Sequence, residues 1–235
     1  MTIECPSIFA ENYPDLCRAV DHYCERTIPG LGAEPVNTLT NVAFLIGAWL
    51  AWRLLASNPD NGPRGLIKIL IVTMATVGLG SFLFHAIGVR WAEWGDVIPI
   101  LAFMLLYFWL VLTHLFQWPW WKSLAALIAF FSTTFYLESA VPGTFLWGGA
   151  MYIPTILSLV GIVVALHLRR HAARNAMLGA VIVFFCAYAA RTLDPFVCPA
   201  FPLGTHFLWH LLNAALLYLF VRLAILYAPP LERLS

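Results

Sequence analysis

Seven apolar stretches, each long enough to cross a membrane, constrain this chain more than any other feature. A transmembrane helix needs about 20 consecutive, mostly apolar residues. The stretches cover residues 38–56, 66–87, 95–115, 120–137, 146–168, 176–192 and 204–227. Only 11% of the residues are charged, whereas soluble domains carry about 25%. The sequence therefore predicts an all-α integral membrane protein with seven transmembrane helices.

The same pattern divides the chain into three parts. Residues 1–37 form a polar, acidic N-terminal segment, residues 38–227 the seven-helix transmembrane domain, and residues 228–235 a short tail on the inner side. The N-terminal segment lacks the charged start and apolar centre of a cleavable signal peptide. We therefore expect the first apolar stretch to act as the insertion signal.

Positive charge predicts how the helices are oriented, because cytoplasmic loops carry an excess of Lys and Arg. With the N-terminus outside, nine of the 13 Lys and Arg residues fall on the inner side. The remaining four fall outside: Arg18, Arg26, Arg90 and Arg191. The predicted topology has the N-terminus outside and the C-terminus inside.

Five reactive side chains lie at helix ends that this topology brings to one level. Ser81 and His85 end the second helix, Asp96 begins the third, and His206 and His210 begin the seventh. Residues four apart share a helix face. Ionisable groups at membrane depth are costly, so by default they indicate a functional site.

These residue types suit hydrolysis at a metal ion. Three neutral imidazoles with one open position are a common way to hold catalytic zinc. Zinc lowers the pKa of its bound water to about 7 and polarises a carbonyl. Asp96 is expected to move the water proton to a leaving group or to orient an imidazole. Ser81 is expected to donate a hydrogen bond to the developing oxyanion. The structural alternatives are a Ser81 hydroxyl bonded to its own helix and an Asp96 carboxylate favoured by the helix dipole.

The other histidines give an internal comparison. His167 and His171 have the same spacing of four, but they lie among the arginines of residues 169–174. Cations repel a metal ion, so this pair is interpreted as solvated and structural. His22 and His114 stand alone and are not expected to be zinc ligands.

In these residues the chain resembles the alkaline ceramidases, which belong to a superfamily of seven-helix membrane hydrolases that includes the adiponectin-type receptors. The shared pattern is Ser-x3-His, an Asp eleven residues after that His, and a His-x3-His in the last helix. Here it is carried by Ser81, His85, Asp96, His206 and His210. Residues 21–26 and 33–41 resemble the segment that leads into helix one in that family.

The resemblance implies hydrolysis of the amide bond of ceramide, or of another N-acyl lipid, to a long-chain amine and a fatty acid. It implies zinc-bound water as the nucleophile, the Asp as proton shuttle and the Ser as the group that stabilises the oxyanion. The lipid substrate and the bilayer are the expected partners. No basic patch indicates nucleic acid, and no protein partner is predicted.

The resemblance also implies a calcium site before helix one, for which the chain offers Asp21, Glu25 and Glu34. Oxygen ligands suit calcium. Arg26 and Thr27 stand where a further acid or amide is expected, and a solvated acidic surface is the alternative.

The cysteines predicted on the outer side lie in an oxidising compartment and can pair. The resemblance implies a disulfide between Cys24 and Cys198. A bond between Cys5 and Cys17 is a further option.

Two other functions remain open at this point. One is a receptor or signalling protein of the same superfamily with a retained zinc site. The other is a haem or quinone redox protein that uses the histidines as axial ligands. Short loops without glycosylation sequons favour a bacterial inner membrane with the site toward the periplasm. In a eukaryote, the endoplasmic reticulum or Golgi is expected.

Overall fold

The structure, a computed structural model, describes residues 6–26, 31–59, 62–142, 145 and 149–229. It confirms the all-α class and the seven helices of membrane-spanning length and composition. We number these helices α1 to α7. They are Pro35–Ala56, Arg64–Ile87, Arg90–Leu115, Trp120–Ala140, Gly149–Leu168, Arg174–Val197 and His206–Tyr227. The side of the membrane on which each terminus lies stays a prediction.

Two helices extend by five residues beyond the apolar stretches that predicted them. Helix α3 begins at Arg90 and not at residue 95, and the Arg90–Glu93 ion pair at 2.6 Å stabilises its first turn. Helix α6 ends at Val197 and not at residue 192, so it continues past Pro195. A proline in the last turn removes few helical hydrogen bonds, which is why the helix can continue through it.

The site depends on how closely α2 and α3 approach. Helix α2 packs along α3 and also contacts α1 and α7, whereas α4 is the least buried helix. A Cβ atom at Gly80 would overlap the carbonyl of Gly95 on α3. Small residues allow membrane helices to pack backbone to backbone. This contact brings Ser81 on α2 beside Asp96 on α3.

The N-terminal segment folds over the end of α2. Ala19 forms a single antiparallel bridge with Val89, and the Val20 N–H donates to the Gly88 carbonyl at 2.9 Å. A disulfide joins Cys24 to Cys198 at the end of α6, which confirms the pairing implied by the resemblance. Cys5, the expected partner of Cys17, lies outside the described residues.

Candidate metal centre and active site

Three histidine side chains from two helices converge in the interior. His85 lies in the last turn of α2, and His206 and His210 lie in the first two turns of α7. Each offers one ring nitrogen, and these three atoms all lie within 4.8 Å of one another. All three residues are buried, with no more than 2% of their surface exposed. The histidines expected to meet therefore do meet.

The orientation of His85 is set by Glu34, which immediately precedes α1. The Nδ1 atom of His85 lies 2.5 Å from Oε2 of Glu34. Burial raises the pKa of Glu34, but the hydrogen bond from His85 and the positive charge of Arg26 outweigh it, so this pKa lies below its usual value. A carboxylate accepts, so His85 donates from Nδ1 and its Nε2 carries the lone pair.

The orientation of His210 is set by Thr40 on α1. The Thr40 hydroxyl donates to the backbone carbonyl of Val36 at 2.9 Å or to that of Asn37 at 3.0 Å. Its oxygen then accepts from Nδ1 of His210, at 3.0 Å. The Nε2 atom of His210 therefore also carries its lone pair.

The position of His206 is fixed by its neighbours on two other segments, the N-terminal segment and α6. Its ring stacks on the Tyr23 ring with centroids 3.6 Å apart. The Asp194 carboxylate accepts from the backbone N–H groups of Thr205 and His206, at 2.7 and 2.9 Å, and so caps the start of α7. Asp194 also accepts from the Cys24 N–H at 2.9 Å, beside the disulfide. These contacts join the N-terminal segment, α6 and α7 at the site.

The donor atoms present fit a zinc ion. The Nε2 atoms of His85 and His210 lie 3.0 Å apart. Both carry lone pairs in the tautomers that Glu34 and Thr40 favour, so they repel each other unless a cation lies between them. Two ligands at zinc–nitrogen distances of about 2.0–2.1 Å in a tetrahedral site are about 3.3 Å apart. The buried Nδ1 of His206 makes no hydrogen bond with the described residues. Three imidazoles of this kind suit zinc.

Ser81 and Asp96 face one another beside the histidines. Both line the same cavity as His210, and the Ser81 hydroxyl lies close enough to interact with the Asp96 carboxylate. The Oδ1 atom of Asp96 is buried without a hydrogen-bond partner among the described residues. The structure therefore brings together all five residues that the sequence indicated, and it leaves one carboxylate oxygen available to a proton.

An apolar cavity opens onto these groups. The space inside it, counted with the open mouth, is about 880 Å³. Its walls come from α1 to α7 and are mainly aromatic and aliphatic. Examples are Phe103, Tyr107, Phe130, Leu159, Ile162 and Phe220. Ser81, Asp96 and His210 line this apolar cavity, so it can hold a hydrocarbon chain whose polar end meets these groups.

The acids expected at the calcium site have other contacts. Glu34 is fully buried between Arg26 and His85. Glu25 accepts from the backbone N–H groups of Val36 and Asn37, at 2.6 and 2.8 Å, and so caps the start of α1. Asp21 is exposed. Calcium binding by these three acids stays a prediction.

The remaining histidines lie away from the centre. The His114 ring contacts the Pro229 carbonyl at 2.9 Å, and the His22 ring lies 3.2 Å from Glu93. His167 contacts its own helix, and His171 accepts from the Ala173 N–H at 3.1 Å. None of these four belongs to a potential metal-binding group among the described residues.

Sequence reasoning missed three residues that support the histidines: Tyr23, Thr40 and Asp194. Asp194 carried a usable signal, because it is the one acid in the apolar run that begins at residue 174 and it directly precedes a proline. Thr40 carried none, since hydroxyls are common in membrane helices and usually bond to their own backbone.

Comparison with known proteins agrees with this arrangement. No curated protein matches the chain. The sequence model of the ceramidase family, in contrast, matches residues 19–232, which include residues 19–37 of the N-terminal segment, all seven helices and every residue of the site described above. The chain therefore belongs to the ceramidase family.

Proposed function

We propose that this protein is a zinc-dependent intramembrane amidase that hydrolyses the N-acyl bond of ceramide or a related N-acyl lipid. Membership of the ceramidase family implies hydrolysis of lipid amides. The observation that carries the zinc assignment is the convergence of the His85 and His210 lone pairs, 3.0 Å apart in a buried site. His85, His206 and His210 would hold the ion. Zinc bound there would polarise the amide carbonyl and make water nucleophilic near neutral pH.

The protein groups around the histidines have complementary roles. Asp96 takes a proton from the attacking water through its unpartnered Oδ1 and delivers it to the amide nitrogen. The Ser81 hydroxyl donates a hydrogen bond to the carbonyl oxygen as negative charge develops on it. The water oxygen bonds to the carbonyl carbon, the C–N bond breaks, and the products are a fatty acid and a long-chain amine.

The apolar cavity binds the hydrocarbon chain of the lipid. Its aromatic and aliphatic walls match hydrocarbon, and Ser81, Asp96 and His210 stand where a polar amide would lie. Together with the predicted topology, this supports a substrate that enters from the bilayer, with the amide toward the outer side. The bacterial inner membrane is the proposed location.

The direct test is an assay of the purified full-length protein in mixed micelles. We expect ceramide to release fatty acid and sphingoid base in equal amounts. The assay should include an N-acyl amino acid lipid and an ordinary ester lipid at the same concentration. Absence of amine release from every N-acyl lipid, by protein that contains zinc, would contradict the proposal and favour a receptor.

Filling the cavity should change chain-length preference. Ile162 is buried on α5 and lines the cavity. We expect Ile162→Trp to exclude at least two methylenes of a long acyl chain. At about 0.8 kcal/mol for each buried CH₂, this lowers kcat/KM for long-chain ceramide about tenfold or more.

The rate for a short-chain ceramide should change little in Ile162→Trp. Val160→Trp is the matched control, because Val160 lies on the same helix but is 43% exposed. Equal losses for short and long chains in Ile162→Trp would mean that the cavity does not hold the chain.

A further inference from the structure

Arg26 is a buried cation that contacts Glu34, and Glu34 in turn contacts the proposed metal ligand His85. Only 2% of its side chain is exposed. Its Nε donates to Oε1 of Glu34 at 2.5 Å, Nη2 pairs with the same oxygen, and Nη1 donates to the Val20 carbonyl. Its guanidinium also lies 5.7 Å from the centre of the Phe84 ring. Arginine stays charged at all physiological pH values, so this charge is permanent.

Glu34 divides its two oxygens between Arg26 and the histidine. Oε1 contacts Arg26, while Oε2 accepts from Nδ1 of His85 at 2.5 Å and from the Asn37 amide at 3.0 Å. A buried carboxylate is stable only when it is paired and fully hydrogen-bonded. Arg26 supplies the compensating charge that lets Glu34 remain an anion and hold the His85 ring.

The backbone leaves space for the Arg26 side chain. Gly88 has φ 73°, and a Cβ atom built on it would overlap the guanidinium of Arg26. Gly88 therefore serves two purposes, since it ends α2 in the left-handed conformation and leaves room for a cation. Any side chain at position 88 would displace the guanidinium of Arg26.

A divalent cation at Glu34 would have to replace Arg26. The positive charge of Arg26 is already in contact with the Glu34 carboxylate. This charge would repel a second cation at the same position. Glu25, the nearest acid in sequence, directs both oxygens to backbone N–H groups at the start of α1.

We propose that Arg26 is the built-in counter-cation of Glu34, in the place where the family resemblance led us to expect calcium. Arg26 and Glu34 are then positioning residues that keep Nε2 of His85 directed at the metal. The inference rests on the proposed zinc centre. Its consequence is that zinc affinity does not depend on calcium.

The test is the zinc dissociation constant of the detergent-purified full-length protein, measured by competition with a chromophoric chelator. We expect millimolar calcium to leave the wild-type value unchanged. Arg26→Ala should weaken zinc binding by about 10–100-fold, as is usual when the partner of a metal-bound histidine is disturbed. Guanidinium ion, added below denaturing concentrations, should restore much of the lost affinity in Arg26→Ala and have no effect on the wild type.

A second pair of variants keeps the test decisive if Arg26→Ala does not fold. Gly88→Ala should displace the guanidinium and weaken zinc binding to a similar degree. Gly32→Ala is the matched control, since Gly32 has φ 78° and, among the described residues, no other group lies within 4 Å of the position that its Cβ atom would take. It carries the same backbone penalty without touching Arg26, so its zinc affinity should equal that of the wild type.

The outcomes separate this inference from the proposed function. Three results would overturn the proposed role of Arg26. The first is a zinc affinity of Arg26→Ala equal to that of the wild type, and the second is an equal loss of zinc affinity in Gly88→Ala and Gly32→Ala. The third is a wild-type protein that needs calcium to bind zinc. The zinc centre would stand in all three cases. A wild-type protein that binds no zinc would instead contradict the proposed function itself.

Discussion

Asp96→Asn should lower kcat for ceramide hydrolysis by about 10²–10⁴-fold while the protein retains its zinc. Asparagine has nearly the same shape, but it cannot take a proton from water and deliver it to the amide nitrogen. General acid–base catalysis commonly contributes a factor of this size. The measurement is kcat and KM in mixed micelles, with metal content determined on the same samples.

Glu93→Gln is the control for this experiment. Glu93 lies one turn before Asp96 on α3, but it pairs with Arg90 and His22 and does not line the cavity. Its variant should keep wild-type kinetics. A fall in zinc content that parallels the fall in activity of Asp96→Asn would show that Asp96 acts by holding the metal site and not by moving a proton.

His206→Ala/His210→Ala should lose both zinc and hydrolysis. The two substitutions remove two of the three nitrogen donors, and one imidazole alone cannot hold zinc against solvent. Because the metal supplies several kcal/mol of transition-state stabilisation, activity should fall by at least about 10³-fold. Elemental analysis and ceramide hydrolysis on the same preparations check both expectations.

The chain supplies a matched control for the double substitution. His167 and His171 have the same spacing of four at the other end of the bundle, where the ring of each forms a hydrogen bond with a backbone group. His167→Ala/His171→Ala should keep wild-type zinc content and activity. Zinc retained at the wild-type level in His206→Ala/His210→Ala would place the metal elsewhere.

The fold could be predicted from sequence because its determinants are local. Each helix is an uninterrupted apolar stretch of membrane length, and the bilayer admits few structures other than a helix for such a stretch. The helix ends were less predictable. Arg90 and Glu93 stabilise the start of α3 through their mutual ion pair, which a hydropathy pattern does not report.

The sequence predicted the part of the candidate site that follows from the spacing of residues along one helix. Ser81 and His85, and likewise His206 and His210, are separated by one helical turn, so each pair shares a face in any helical structure. The supporting contacts are different in kind. Glu34 meets a histidine 51 residues away and Thr40 meets one 170 residues away. No periodic pattern links such positions, so only the packing of α1 against α2 and α7 brings them together.

The role of Arg26 shows the same limit. In the sequence, Arg26 was a departure from the pattern expected at a calcium site. In the structure, its guanidinium contacts Glu34 and fills the space beside Gly88. The arginine and the glycine that accommodates it lie far apart in the chain, so no local pattern connects them.

The zinc dependence of the proposed amidase is tested by removing and restoring the metal in the wild-type protein. The measurement is zinc per chain beside ceramide hydrolysis, before and after treatment with a chelator and then with stoichiometric zinc. We expect one zinc per chain, loss of hydrolysis with its removal, and recovery as the first equivalent of zinc returns. Full hydrolysis by protein that contains no zinc would contradict the proposed zinc dependence.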